Sequence, residues 1–111
     1  MQKETQAKLL RLFIGESDKY SGKNLYHYLV EYLRKNHYAG VTVLRGLTGF
    51  GKASKIHSSD LLELSSDLPI VIEIVDVPEK IENLKKVFDE MNMIGSALIT
   101  EEDVKIIKYG N

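Results

Sequence analysis

Cysteine is absent from the chain, which rules out disulfides, thiolate zinc sites and thiol nucleophiles. That fits a reducing compartment. The opening segment MQKETQAK is charged and polar with no long apolar run behind it, so neither a signal peptide nor a membrane span is readable. A cytoplasmic protein without stable membrane insertion is expected. An excess of one charge is also missing: the formal net charge is -1 and the pI about 6.3, so nothing draws nucleic acid or an anionic membrane to the whole surface. Any anion site must be local. No Walker sequence, HExxH helix or nucleophile elbow occurs, and the carboxylates Glu63, Asp67, Glu73, Asp76 and Glu79 are scattered over different segments. Catalysis is unsupported. Of the three histidines, His27 and His37 stand ten apart, not at the i,i+4 spacing of a helical metal pair, and are read as surface or partly packed residues. His57 is a candidate loop contact, and no metal is expected.

What is present is ordinary for a globular domain: 111 residues, 43% apolar and 28% charged, enough for one core and too few for two. The expectation is a single domain over 1–111. Ala7 to Gly15 reads as a strand, with Leu10, Leu12 and Ile14 on one face and Leu9, Arg11 and Phe13 on the other. After the polar segment 16–23, Leu25, Leu29, Tyr32 and Leu33 recur at helical spacing between Asn24 and His37, with Gly40 as a natural stop. A second strand runs from Val41 to about Leu47. The stretch from Gly49 to Asp67 is rich in Gly, Ser and Lys, a connection of a length that is usually functional or mobile. Leu68 to Val75 is the clearest strand, opened by Pro69. Asp76 and Glu79 are spaced as a helix-capping pair, and Ile81, Leu84, Val87, Phe88 and Met91 form the stripe of a second helix. Val104 to Tyr109 is a last strand, and Ala97 to Ile99 either pairs as an extra strand or packs.

This order predicts an α+β, ferredoxin-like βαββαβ fold, an antiparallel sheet with two helices on one face and a long loop between strands 2 and 3. A sheet covered on one side should alternate apolar with polar, yet Ile70, Val71, Ile72, Ile74 and Val75 do not. Something must cover the second face, and other copies of the chain are the expected cover. Chemistry concentrates at Gly40 to Lys52, GVTVLRGLTGFGK, where a strand runs into a loop whose backbone N–H groups and Lys52 could hold an anion. Glu73 is an acid in an apolar strand, either the partner of a cation in a site or a residue at an open edge. Lys105 and Lys108 lie three apart on the last strand, suited either to a ligand or to protecting a sheet edge. LFIGE at Leu12 to Glu16 and TGFGK at Thr48 to Lys52 look like RNA-recognition signatures, but KASKIHSSD follows Gly51 where further aromatics belong. RNA binding and a small enzyme of unknown reaction stand as alternatives.

The motifs TVLRG, GFG, the loop histidine and LPIVIEIV together resemble the PII signal-transduction superfamily, and most closely its small uncharacterised PII-like members. The resemblance implies a cytoplasmic, non-enzymatic regulatory protein: a ferredoxin-like homotrimer binding an adenine nucleotide (ADP, AMP or ATP) between subunits. The loop 49–67 would contact a target protein, such as a transporter or enzyme. Carried over, Gly49, Phe50 and Gly51 form the base of that arm, with Lys52 in place of an arginine. Thr42 matches the strand threonine near the adenine, Glu73 the strand acid, and Lys108 one of two last-strand arginines reaching phosphate from the next subunit. Arg45, Gly46 and Lys105 complete the expected nucleotide-binding set. The family's GDGK phosphate loop is replaced by IGSA at Ile94 to Ala97, and Ile70 and Ala53 stand where a lysine and a glutamine are usual. An ADP- or AMP-like ligand is therefore expected over Mg-ATP.

Overall fold

A computed structural model describes residues 2–49, 57–58, 67–95 and 97–110, and for 57–58 the backbone alone. Its elements in order are β1 (Gln2–Gly15), β2 (Lys19–Tyr20), β3 (Lys23–Asn24), α1 (Leu25–Lys35), β4 (Gly40–Arg45), β5 (Thr48–Gly49), β6 (His57–Ser58), β7 (Pro69–Asp76), α2 (Pro78–Met91) and β8 (Leu98–Tyr109). The main sheet runs β4-β7-β1-β8 with every neighbour antiparallel. This is the ferredoxin-like order, as the strand–helix periodicity predicts.

Burial alternates along β7 although its apolar residues do not: Ile70, Ile72 and Ile74 are shut in, while Val71, Glu73 and Val75 are only half-buried. The buried set joins Leu10, Leu12 and Ile14 of β1, Leu25, Leu29 and Leu33 of α1, and Ile81, Leu84 and Phe88 of α2 in one core. Both helices therefore lie on one face of the sheet. Met93, rather than the expected Met91, closes this core beyond α2: Met93 is 3% exposed and Met91 41%.

The helix ends depart from the sequence reading in instructive ways. α1 stops before Gly40, because His37 takes a left-handed conformation (φ 58) and Tyr38 N–H donates to the Leu33 carbonyl at 3.0 Å. Asp76 caps nothing in α2. Pro78 opens that helix behind Val77, and the buried Asp76 carboxylate accepts instead from Ala39 N–H (2.8 Å) and Val77 N–H (2.7 Å). It thus ties the start of α2 to the approach of β4. Polar segment 16–23 is a tight hairpin, with positive φ at Ser21 and Gly22 as a two-residue turn requires.

β1 and β8 are longer than their apolar patterns suggest. β1 begins at Gln2 and β8 at Leu98, and the two pair without a break from Gln2 with Tyr109 to Phe13 with Leu98. β7 reaches only as far as Lys8. Beyond it, β1 and β8 continue as a two-stranded ribbon.

Candidate functional site

The mouth of the 49–67 connection is built by three chain ends. β4 finishes at Arg45, β7 begins at Pro69, and β1 ends at Gly15 opposite Pro69 in the ladder. Gly46 seals the joint: its N–H donates to the Pro69 carbonyl at 2.7 Å, and a Cβ there would stand 2.9 Å from Pro69 Cγ. No larger residue approaches that closely. Thr48 and Gly49 then pair with Ser58 and His57, so a short ladder closes the base of the connection.

Glu16, which the sequence reading met only as the end of the LFIGE signature, is central to this mouth. Its backbone N–H donates to the Leu68 carbonyl at 2.9 Å, and its carboxylate, only 13% exposed, accepts from Leu68 N–H and pairs with the Arg45 guanidinium. The signal available in the sequence was an acid directly after the strand-ending Gly15. Arg45, expected as an anion contact, is held by this carboxylate. An anion arriving there competes with Glu16 for it.

Thr42 and Glu73 are brought together, directly opposite each other across the β4–β7 ladder on the face away from the helices. Glu73 does have a cation, from its own sheet: Arg11 Nε donates to it at 2.9 Å, and Arg11 also pairs with Glu102. The two carboxylates hold the Arg11 guanidinium above its ordinary pKa, Glu73 contributing most. The network leaves one carboxylate in excess on a face that also bares Leu44 (49% exposed) and Leu98 (56% exposed).

Lys105 and Lys108 are not brought to the mouth. Lys108 pairs across the ribbon with Lys3, and Lys105, opposite Gln6, lies 3.8 Å from Glu4. Twelve positions of β1 separate Lys3 from Gly15 at the mouth, about 40 Å at roughly 3.3 Å per residue. Within one chain the two ends cannot share a ligand. Phe50, Gly51 and Lys52 lie outside the described residues, and His57 is described only in its backbone pairing.

Ile94 and Gly95, at the start of the segment where the PII phosphate loop would stand, border a cavity of about 200 Å³ lined also by Asp18, Lys19, Tyr20, Leu25, Asn92 and Met93. Gly95 there has φ 57. The exposed His27 stacks on Tyr26, and among the described residues no group of three or more His, Asp or Glu could hold a metal. No described helix is long and apolar enough to cross a membrane.

The model of the DUF190 family, described as an uncharacterized ACR, matches residues 7–106. The chain belongs to that family. It is 41% identical over 100 residues to a UPF0166 protein of Aquifex aeolicus (strain VF5), covering 90% of this chain and 92% of that one. A UPF0166 protein of Methanocaldococcus jannaschii is 32% identical over 97 residues, covering 86% and 89%. Among solved structures, the DUF190 chain is similar to CPII, a nitrogen regulatory PII-like protein from Thiomonas intermedia K12, bound to ADP, AMP and bicarbonate. The TM-score is 0.67 at 18% identity, over 94% of this chain and 91% of that one. The apo form of CPII gives 0.63 at 17% identity, over 97% and 99%. The PII-like fold of this DUF190 chain follows from that likeness.

Proposed function

We propose that this DUF190 chain is a non-enzymatic, PII-like regulatory protein whose copies assemble, as a trimer, and bind an adenine nucleotide of the ADP or AMP type between subunits. The observation that carries this reading is the fold shared with CPII, which was solved with ADP and AMP bound. Separation of the last-strand lysines from the loop mouth adds support, since Lys108 can meet Arg45, Gly46 and Gly49 only if it comes from another copy. In this reading 1–111 act as one domain in the cytoplasm.

Thr42 and Glu73 would flank the base, and backbone donors near Gly49 with Lys52, Lys105 and Lys108 would neutralise phosphate. Phosphate would displace Glu16 from Arg45, loosening the contacts Glu16 makes at the mouth. The 49–67 connection would then present differently to a target protein with and without ligand, because only differential contacts can shift such an equilibrium. Isothermal calorimetry with ADP, AMP, ATP and cyclic nucleotides tests the proposal. Binding of ADP or AMP at micromolar concentration is expected, weakened at least about tenfold by Lys108→Ala. Absence of heat with every nucleotide removes the reading.

A further inference from the structure

The Arg45 end of the mouth carries an anion of its own, and the way that anion is fastened decides what else can share the place. Glu16 is anchored first through its backbone, whose N–H donates to the Leu68 carbonyl at 2.9 Å. Beside it, Ser17 N–H donates to Asp67 Oδ1 at 3.0 Å. The Glu16 side chain then divides its two oxygens: Oε1 accepts from Leu68 N–H at 3.3 Å, and Oε2 pairs with the Arg45 guanidinium. Only the last of these bonds depends on Arg45. At 13% exposure the carboxylate has little room to turn out into water, whereas Arg45 is 58% exposed and open to a ligand.

An anion that draws Arg45 away therefore does not remove Glu16. It binds beside it. Two more carboxylates, Asp67 and Asp18, stand round the same turn: a Cβ on Gly15 would lie 2.8 Å from Asp67 Oδ1 and 3.3 Å from Asp18 Oδ1. Each has contacts of its own, Asp18 Oδ2 accepting from Gly15 N–H at 3.1 Å. The neighbouring cation Lys19 is turned to Asn24 Oδ1 at 2.8 Å. A guanidinium holds two oxygens of one ligand side by side, so Arg45 suits a phosphate, but every further charge on that phosphate is repelled by the carboxylate that stays. Ligand charge is thus read at this point as well as ligand shape.

We infer that Glu16 is a specificity-determining residue of the candidate site, making its Arg45 end accept a singly charged phosphate group and disfavour a doubly charged one. A phosphate joined through oxygen to two further groups, as in a diester or at the internal position of a nucleoside diphosphate, carries one charge at any pH near neutrality. A terminal phosphate ester carries nearly two, its second pKa being about 6. The inference deepens the nucleotide reading and rests on it only for the presence of a phosphate: it puts the internal phosphate of ADP, rather than the terminal phosphate of AMP, at Arg45. Discrimination of this kind needs a repulsive element, which a cluster of cations alone does not supply. Glu16, held at the mouth by Leu68, is that element.

Calorimetry with AMP and with the methyl ester of its phosphate changes ligand charge and little else. Wild type should bind the methyl ester at least about tenfold more tightly than AMP at about pH 8, and the two within about threefold at about pH 5.5, where AMP has largely taken up its second proton. Glu16→Gln, which keeps an acceptor for Leu68 N–H and is checked for folding by circular dichroism, should erase the preference at about pH 8 by tightening AMP. Equal affinities or a preference for AMP in wild type, or a preference that survives Glu16→Gln, overturns the inference and leaves nucleotide binding standing. Should Glu16→Gln fail to fold, the pH dependence of wild type decides alone. The same comparison between dimethyl phosphate and methyl phosphate, followed by NMR at the Arg45 side-chain N–H, needs no adenine. Discrimination there without heat from any nucleotide keeps the inference and removes the nucleotide reading; no shift with either ester removes the inference.

Discussion

Replacing Gly46 by alanine should destabilise the mouth of the connection for a purely steric reason. The new Cβ would lie 2.9 Å from Pro69 Cγ and 3.5 Å from its carbonyl oxygen, where carbon atoms ordinarily rest about 3.5–4.0 Å apart. The pyrrolidine ring can give a few tenths of an ångström, and the rest must come from separating β4 and β7 where Gly46 N–H reaches the Pro69 carbonyl at 2.7 Å. Overpacking costs about 1–3 kcal/mol and a weakened hydrogen bond about 0.5–1.5 kcal/mol, so a loss of roughly 2–3 kcal/mol is expected. At about 4–8 °C per kcal/mol for a domain of this size, thermal unfolding followed by circular dichroism should show Tm falling by roughly 8–24 °C. Pro69→Ala removes the clashing atom, so Gly46→Ala should cost at most about 1 kcal/mol in that background. A loss below about 0.5 kcal/mol for the single variant, or the same loss in both backgrounds, refutes the reasoning.

Asp76→Ala leaves the Ala39 and Val77 N–H groups without their acceptor in a part-buried site, and should cost about 1–3 kcal/mol in urea unfolding, with Asp76→Asn retaining part of it. Leu84→Ala, at a side chain with no exposure between α2 and the sheet, should lose about 2–5 kcal/mol by the same assay. Glu101 is held below its ordinary pKa, first by the hydrogen bond from Lys85 of α2 (2.7 Å) and then by Lys8. Its folded value lies below the unfolded one, so the contribution is complete above the usual carboxylate range and disappears as pH falls through the folded value. Lys85→Met should therefore lower Tm at pH 7 and have little effect at pH 2–3; an equal drop at both would refute the linkage.

The helical stripes were readable because burial at α1 and α2 follows a local period. Leu25, Leu29 and Leu33 return to one face every turn whatever the surroundings. Glu73 could be recognised as anomalous but not explained, since its cation Arg11 is 62 residues away and meets it only through strand pairing. Glu16 escaped notice for the same reason: its partners Arg45 and Leu68 are distant in sequence. The capping reading of Asp76 failed because Ala39, also distant, offers a better-placed donor. The start of β1 was missed because Gln2 to Gln6 carry no apolar alternation. What makes them a strand is the ladder to β8.

Residue order alone therefore determined the element types, the sheet topology and the presence of apolar side chains on both sheet faces, because these follow from short-range periodicity and handed connections. Tertiary structure decided which charges pair, where the helices stop, how far β1 and β8 run beyond their neighbours, and that Lys105 and Lys108 stand about 30 and 40 Å from the loop mouth. Such features depend on distances between segments remote along the chain, and a linear pattern of residue types contains no measure of those distances.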